Sequence, residues 1–171
     1  MNAKFLLIPA AIIVSAPAQA KIYMSIEDAQ QLMFPGAAFE ANFVTLDQSQ
    51  FNAIIDDSGV NVYSRKIKAW KASAGGWFVL DQVRGQDDWI TYAIAIDDKG
   101  GVQRIEILEC LENYDGIGRP GWRSQFYGKR HGAGFDNVAT ISGATLSSGQ
   151  MKAGVKRILS TYALVLAPSA G

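Results

Sequence analysis

The hydrophobic positions of the chain predict three amphipathic helices. In the first, Ser25 followed by Asp28 predicts an N-terminal cap, and apolar residues recur at helical spacing up to Pro35-Gly36. The second covers residues 48–57, with Gly59 as a typical C-terminal cap. The third starts near Ser147 and ends before the C-terminal tail. Its apolar face consists of Met151, Val155, Ile158, Leu159 and Tyr162.

The segments between these helices have the apolar runs and alternation of β-strands. The predicted strands cover residues 38–46, 60–70, 77–83, 89–96 and 102–108. Between the last two, Asp97-Asp98-Lys99-Gly100-Gly101 predicts a hairpin, because Asp and Gly tolerate the positive φ that such turns require. We therefore predict an α+β fold, an antiparallel β-sheet with helices packed on it, forming a single domain over residues 21–171.

The balance of charges and the scarcity of cysteine exclude several classes of function. The 171 residues include 16 Lys+Arg, 16 Asp+Glu, one His and one Cys. A chain without net charge lacks the basic field on which nucleic-acid binding depends, so we expect no nucleic-acid partner. A single cysteine, Cys110, allows no internal disulfide, no c-type haem attachment and no cysteine-ligated cluster. We predict no metal site.

The first twenty residues have the pattern of a signal peptide. Lys4 gives a short positive region, residues 5–14 are apolar, and Ala18-Gln19-Ala20 matches the small-x-small cleavage pattern. This apolar run is shorter than the ~20 residues that a membrane-spanning helix needs. We expect cleavage after Ala20 and an exported domain that does not span the membrane.

The stretch with the most distinctive chemistry lies just before the third helix. It reads Thr140-Ile141-Ser142-Gly143-Ala144-Thr145-Leu146-Ser147-Ser148. Gly143 and Ala144 let the backbone approach a ligand closely, and the amides that begin a helix suit a phosphate group. Ser142 and Thr145 are equally ordinary helix caps. The residues alone leave both a phosphate site and a simple cap open.

This stretch closely resembles the flavinylation motif of the FMN-binding domain family. The resemblance rests on Ser-Gly-Ala-Thr at 142–145, followed by Leu146 and Ser147. The family includes the periplasmic flavoprotein subunits of sodium-translocating NADH:quinone reductase and of the Rnf electron-transport complex, as well as stand-alone exported members. The resemblance implies that a flavin transferase takes FMN from FAD and attaches its phosphate to the Thr145 hydroxyl through a phosphoester.

Other segments resemble the family in the same order along the chain. Phe34-Pro35-Gly36 is similar to the end of its first helix, and residues 77–81 and 90–96 are similar to the central strands of stand-alone members. Residues 112–118 resemble its acidic, Gly-containing loop beside the flavin, and residues 120–129 resemble the segment that follows. The resemblance therefore implies further cofactor contacts at Glu112, Gly116, Ile117 and Trp122.

Several side chains of residues 114–130 are candidates to contact such a cofactor. Rings and an aliphatic side chain that suit a flat aromatic surface occur at Tyr114, Ile117, Trp122, Phe126 and Tyr127. Trp122 and Phe126 are equally good core residues. Arg123, Lys129 and Arg130 are candidates to offset the phosphate charge, or are solvent-facing.

The chain departs from the family pattern at two places. The family commonly has an acidic residue three positions before Ser-Gly-Ala-Thr, where this chain has Ala139, with Asp136 three residues earlier. Gly85-Gln86-Asp87-Asp88 stands where related stand-alone members often show Gly-Lys-His. The first departure concerns recognition by the transferase and leaves the acceptor hydroxyl in place. The second gives no support for a haem-coordinating role at that position.

Three functions follow from these patterns. The first is an exported flavoprotein with FMN on Thr145 that relays electrons between a membrane reductase and a periplasmic or membrane acceptor, with no catalytic residues of its own. The second is a module of the same fold that binds or senses FMN non-covalently. The third is a hydrolase using Ser142, Ser147 or Ser148, which lacks an evident base because His131 is the only histidine. We predict the first.

Overall fold

The computed structural model describes residues 21–86, 88–110 and 115–167 and confirms the α+β fold. The signal peptide predicted at residues 1–20 lies outside these ranges, and so does Glu112. The helices are α1 (Ile26–Met33), α2 (Gln48–Ser58), α3 (Pro120–Arg123) and α4 (Thr145–Thr161). The strands are β1 (Lys21–Ile22), β2 (Phe39–Ala41), β3 (Val44–Thr45), β4 (Lys66–Ala72), β5 (Trp77–Arg84), β6 (Trp89–Ile96) and β7 (Val102–Cys110).

The first two long helices begin and end at the predicted residues because their caps form. Ser25 caps α1, its hydroxyl accepting the amide of Asp28 at 3.1 Å. Asp47 and Gln50 form a reciprocal capping box at the start of α2, which the sequence analysis did not predict. Gly59 ends α2 in the left-handed conformation, with φ of 64°.

The strands form an antiparallel sheet, as predicted. Along the described chain their order is β1-β7-β6-β5-β4-β2, with β3 also pairing with β4. The turn between β6 and β7 is the predicted hairpin. There Asp97 Oδ1 accepts the amides of Lys99 and Gly101, and Gly100 has φ of 80°. The three long strands β5, β6 and β7 therefore lie side by side at the centre.

Two of the predicted strands differ from the structure. Residues 38–46 form two short strands, β2 and β3, which keep one register on β4: Ala41 lies opposite Trp70 and Val44 opposite Ile67. The predicted strand 60–70 begins only at Lys66, because residues 60–65 cross over from α2 and do not pair in the sheet. Alternating apolar residues were present in both segments, but a partner strand was not available along their whole length.

The sheet splits between β4 and β5. These strands pair only where Lys68–Lys71 lie opposite Leu80–Trp77. The rest of β5, residues 81–84, pairs with β6 on one side and has no β4 residue opposite it on the other. Among the described strands, β5 therefore has one half inside the sheet and one half at an open edge.

Each face of the sheet has its own core. On one face, α4 and residues 115–138 cover side chains that include Val83, Tyr92 and Ile105. On the other face, α1 and the residues after it cover Phe78, Ala93 and Leu108. No helix among the described residues is long and apolar enough to cross a membrane.

Candidate functional site

Helix α4 starts at Thr145 without a side-chain cap. The N-cap residue is Ala144, and no side chain hydrogen-bonds to the free amides there. Thr145 is the first helical residue, and its side chain is exposed. Among the residues that the structure describes, its hydroxyl has no hydrogen-bond partner. The alternative that Ser142 or Thr145 serves merely as a cap is therefore wrong.

The backbone before α4 turns sharply and leaves amides unused. The amide of Ala144 donates to the carbonyl of Ile141 at 3.0 Å, and Gly143 has φ of 80°, a conformation that a residue with a Cβ rarely adopts. The first helical hydrogen bond runs from Ser148 N to Ala144 O at 3.0 Å. The amides of Thr145 and Leu146 precede it and are not used by the helix. This is the arrangement at which helices bind phosphate groups.

Side chains from three elements hold the segment that leads into α4. The indole of Trp122 donates to the Ala139 carbonyl at 2.7 Å, and Gln125 accepts the Ala139 amide at 2.8 Å. Lys152, about two turns into α4, donates to the Val138 carbonyl at 2.8 Å. The sequence analysis missed Gln125 and Lys152, although Gln125 lies inside the segment that resembles the family. The segment is thus fixed mainly through its backbone.

The serines after Thr145 point inward. Ser147 is buried, and its hydroxyl accepts the amide of Gln86 at 3.3 Å, which ties the β5–β6 connection to α4. Ser148 is fully buried and donates to the Thr145 carbonyl at 3.0 Å. Leu146 is half exposed. Of the predicted site residues around the motif, Ser142, Gly143, Thr145 and Leu146 therefore reach the surface, whereas Ala144 and Ser147 do not.

Only some of the cofactor-contact residues predicted in the preceding loop lie near this site. Gly116 packs so closely on Ile141 that a Cβ there would lie 2.7 Å from its Cγ2, so this loop lies against the segment before Thr145. Ile117 is buried in the core beneath. Glu112 lies outside the described residues. The structure thus places residue 116 next to the motif and gives no position for the acidic side chain.

The aromatic side chains proposed to receive a flat ring are mostly core residues. Trp122 and Phe126 are buried and pack edge to face, with ring centroids 5.2 Å apart. Tyr127 is exposed, and Tyr114 lies outside the described residues. The core alternative is therefore confirmed for Trp122 and Phe126. Trp122 contributes to the site through its indole hydrogen bond to Ala139.

Two of the three candidate cations are engaged elsewhere. Arg123 is buried and forms an ion pair with Glu106, and it also donates to the Ile105 carbonyl. Lys129 donates to the Gly134 carbonyl at 2.7 Å and to Asn137 at 2.8 Å. Arg130 remains exposed. The charge of a phosphate at Thr145 would therefore be met first by the helix amides.

His131 is hydrogen-bonded to Asp57 and does not lie beside a serine of the motif. Its Nε2 is 2.7 Å from Asp57 Oδ2 on α2, and a second hydrogen bond from Ser160 joins the same carboxylate. These hydrogen bonds, that from Ser160 first and that from His131 second, lower the pKa of Asp57 below its ordinary value. Ser160 is 13 residues beyond Ser147, or about 20 Å along α4 at 1.5 Å per residue. The hydrolase alternative therefore gains no base.

The C-terminal half of α4 is bound tightly to the sheet. Arg157 pairs with Asp81 of β5 and donates to the Gln82 carbonyl at 3.2 Å. Asp81 also accepts the Tyr92 hydroxyl at 2.8 Å. Burial raises the pKa of the Tyr92 phenol well above its ordinary value, and the nearby Asp81 carboxylate raises it further, so the phenol stays protonated. A Cβ on Gly154 would lie 2.6 Å from the Tyr92 hydroxyl.

Among the described residues, an exposed hydroxyl without a partner lies beside free helix amides, and this arrangement suits a phosphate-bearing group. The comparison with known families agrees with this chemistry. Residues 85–160 match the model of the FMN-binding domain family, and over this region the chain belongs to that family. The matched region runs from the β5–β6 connection through β6, β7 and the motif to the end of α4. No curated protein matches the sequence.

The residues present fit FMN as the cofactor. The Thr145 hydroxyl, which has no partner among the described residues, and the unused amides of Thr145 and Leu146 suit its phosphate, and Gly143 keeps the backbone accessible beside it. When bound, the flavin supplies the redox chemistry, and the protein supplies position and electrostatics. The protein therefore binds flavin.

Proposed function

We propose that this protein is a periplasmic electron carrier with FMN attached covalently to Thr145. It relays electrons between a membrane-bound reductase and a periplasmic or membrane acceptor, after export and cleavage behind Ala20. A flavin transferase is its maturation partner. The observation that carries the proposal is the Thr145 hydroxyl, which is exposed at the uncapped start of α4 and forms no hydrogen bond within the described part of the chain.

The attachment step balances with FAD as the donor. The Thr145 oxygen forms a bond to the phosphorus of the FMN moiety, and the bond from that phosphorus to the bridging oxygen of the pyrophosphate breaks. AMP leaves with that oxygen, and the hydroxyl proton is released. The product would be a phosphoester with one negative charge shared by its two non-bridging oxygens, and the positive end of α4 would stabilise this charge by about 0.3–1 kcal/mol.

A covalent link suits an exported protein. A dissociated cofactor in the extracytoplasmic space is diluted and not readily recaptured, whereas a tethered one stays with the chain. The covalent and the non-covalent alternatives differ in one property, which is whether flavin remains on the chain after denaturation.

The test is the intact mass of protein purified from an exporting host that co-expresses a flavin transferase. We expect residues 21–171 plus FMN less one water, and a fluorescent band after denaturing electrophoresis. Thr145→Ala should remove both the added mass and the fluorescence. Thr140→Ala, an exposed threonine of the same segment, is the matched control and should retain both.

Two outcomes would contradict the proposal. Flavin that survives denaturation in Thr145→Ala would place the link on another residue. Flavin bound by the native wild-type protein but lost on denaturation would support the non-covalent module instead. The added mass without loss of residues 1–20 would contradict the signal peptide and leave the attachment site standing.

Electron relay needs its own measurement. Membranes of the exporting host, supplied with a respiratory electron donor, should bleach the flavin absorbance of the loaded protein, and removal of the donor should restore it. The Thr145→Ala protein in the same mixture is the blank. A loaded protein whose flavin stays oxidised would refute the carrier role while leaving FMN attachment intact.

A further inference from the structure

A cleft of about 400 Å³ opens where the sheet splits between β4 and β5. The open edge of β5 at Asp81 and Gln82 forms one side, and the start of β4 with Tyr63 forms the other. Arg157 and Ile158 of α4 close the bottom. A cleft of this volume falls in the range of roughly 300–1,000 Å³ in which small-molecule sites are found.

The cleft has aromatic and aliphatic walls. Tyr63 and Trp89 meet edge to face with ring centroids 6.0 Å apart, and both remain substantially exposed, at 49% and 38%. Val79, Leu80 and Ile67 line the interior. Because the two rings meet at 87°, a planar ligand ring can stack on the face of one and meet the other edge to face.

The polar groups of the cleft are mainly donors. Lys66 and Lys68 line it from β4, and Arg157 lies at its bottom. Of the two lining carboxylates, Asp81 is already engaged by Arg157 and Tyr92, which leaves Glu109. Arg157 is likewise engaged, by Asp81 and by the carbonyls of Asn61 and Gln82. The two lysines are therefore the cations of the cleft that can reach a ligand, and they favour oxygen acceptors on it.

The cleft is separate from the Thr145 site. Trp89 and Thr91 alternate along β6 with Ile90 and Tyr92, which belong to the core under α4, so the β6 side chains of the cleft lie on the other face of the sheet. Arg157 and Ile158 reach the cleft from α4 through the gap between β4 and β5. Arg157 is 12 residues beyond Thr145, about 18 Å along the helix at 1.5 Å per residue.

We propose that this cleft is a second ligand site, for a small planar aromatic compound that carries oxygen acceptors on its edge. The ring lies against Tyr63 and Trp89, and the oxygens accept from Lys66 and Lys68. Quinone carbonyls and aromatic carboxylates share this chemistry. The site does not depend on the flavin at Thr145.

The test is calorimetric titration of the FMN-loaded protein with two compounds. One is 2,3-dimethyl-1,4-naphthoquinone, which is neutral and has no free ring position for a thiol to attack. The other is 2-naphthoate, which has a similar ring system and a full negative charge. We expect saturable 1:1 binding of at least one, and the stronger of the two identifies the source of the ligand.

Variants locate the binding. Trp89→Ala should weaken it at least tenfold, and Lys66→Glu combined with Lys68→Glu should weaken it at least tenfold for the naphthoate and less for the quinone. Lys71→Glu, an exposed lysine of the same strand that does not line the cleft, should leave binding unchanged. Thermal unfolding of each variant checks that it is folded.

Three outcomes would overturn the proposal. The first is that neither compound shows saturable binding, and the second is that the cleft variants bind as well as the wild type. The third is that the compounds bind the Thr145→Ala protein but not the FMN-loaded protein, which would mean that the tethered flavin itself fills the cleft. The last outcome leaves the proposed carrier function standing.

Discussion

The two ends of α4 are built in opposite ways. At the C-terminal end, Arg157 is buried and bonded to two strand residues, and Gly154 lets the helix touch the sheet. At the N-terminal end, Thr145 is exposed, and neither its hydroxyl nor the helix start has a side-chain partner among the described residues. One end fixes the helix, and the other keeps its polar groups available. We expect substitutions at the first end to change stability and those at the second to change cofactor content.

The largest effect on stability should come from removing Arg157. Arg157→Ala leaves Asp81 without its ion pair beside the buried Tyr92, and we expect a loss of about 3 kcal/mol, at the lower end for broken buried pairs because Asp81 is partly exposed. Urea unfolding measures it. Lys156→Ala, the exposed neighbour, is the control and should change stability by less than about 0.5 kcal/mol. Equal effects of the two substitutions would refute the anchoring role of Arg157.

The two glycines within α4 should respond in opposite directions. Gly154→Ala places a Cβ 2.6 Å from the Tyr92 hydroxyl and from Val83 Cγ1, and overpacking of this kind costs about 1–3 kcal/mol. Gly149→Ala meets nothing within 4 Å and should stabilise the helix by up to about 1 kcal/mol. The same unfolding experiment compares them, and a stabilising Gly154→Ala would show that α4 is not in tight contact there.

A substitution at the uncapped start of α4 should change the free energy of unfolding very little. Asp47→Ala removes a capping box on α2 and should cost about 0.5–2 kcal/mol. Thr145→Ala removes no cap, and in the flavin-free protein we expect a change within about 0.5 kcal/mol. A cost for Thr145→Ala as large as that for Asp47→Ala would mean that its hydroxyl caps the helix after all.

The smallest expected effect on stability is the pH dependence that Asp57 contributes. Because the pKa of Asp57 is lowered in the folded protein, its contribution is present above its unfolded pKa of about 3.9 and is lost as the pH falls through the folded value. Asp57→Asn should therefore be less stable than the wild type at neutral pH, and the difference should shrink toward pH ~2. Unfolding free energies measured across this range test it. A difference that stays constant with pH would exclude the carboxylate charge as its cause.

Recognition by the transferase is tested by restoring the acidic residue of the family pattern. Ala139→Asp should raise the fraction of flavin-loaded chains in a host that has the transferase, as measured by intact mass. Residue 139 is exposed and lies three positions before Ser142, where the family commonly has an acidic residue, so a carboxylate there is accessible to the transferase. Thr140→Asp, which adds the same charge one residue later, is the control. An unchanged fraction would mean that Asp136 or the shape of the segment already suffices.

Local signals predicted the helices well and the strand limits less well. The caps at Ser25 and Gly59 are encoded within a few residues, and the structure confirms both. The late start of β4 at Lys66 is set by its pairing with Thr45 of β3, which no pattern within residues 60–65 records. The two-residue strand β1 was not predicted, because it exists only through its pairing with β7.

At the site, the acceptor residue was predictable and its surroundings were not. The motif marks Thr145, but the hydrogen bonds that Trp122 and Gln125 form with Ala139 join residues 17 and 14 positions apart, respectively. Aromatic composition suggested a ring-binding role for Trp122 and Phe126, and burial shows that they form core. Sequence pattern identifies reactive groups, whereas long-range contacts decide which of them stay exposed.

The two bonds that hold Ala139 have an evolutionary consequence. Trp122 and Gln125 bind the carbonyl and the amide of this residue, not its side chain, and the side chain is exposed. Any residue that keeps a backbone N–H can therefore stand at position 139 at little structural cost. Substitutions at this position can therefore strengthen or weaken recognition by a maturation enzyme without disturbing the fold.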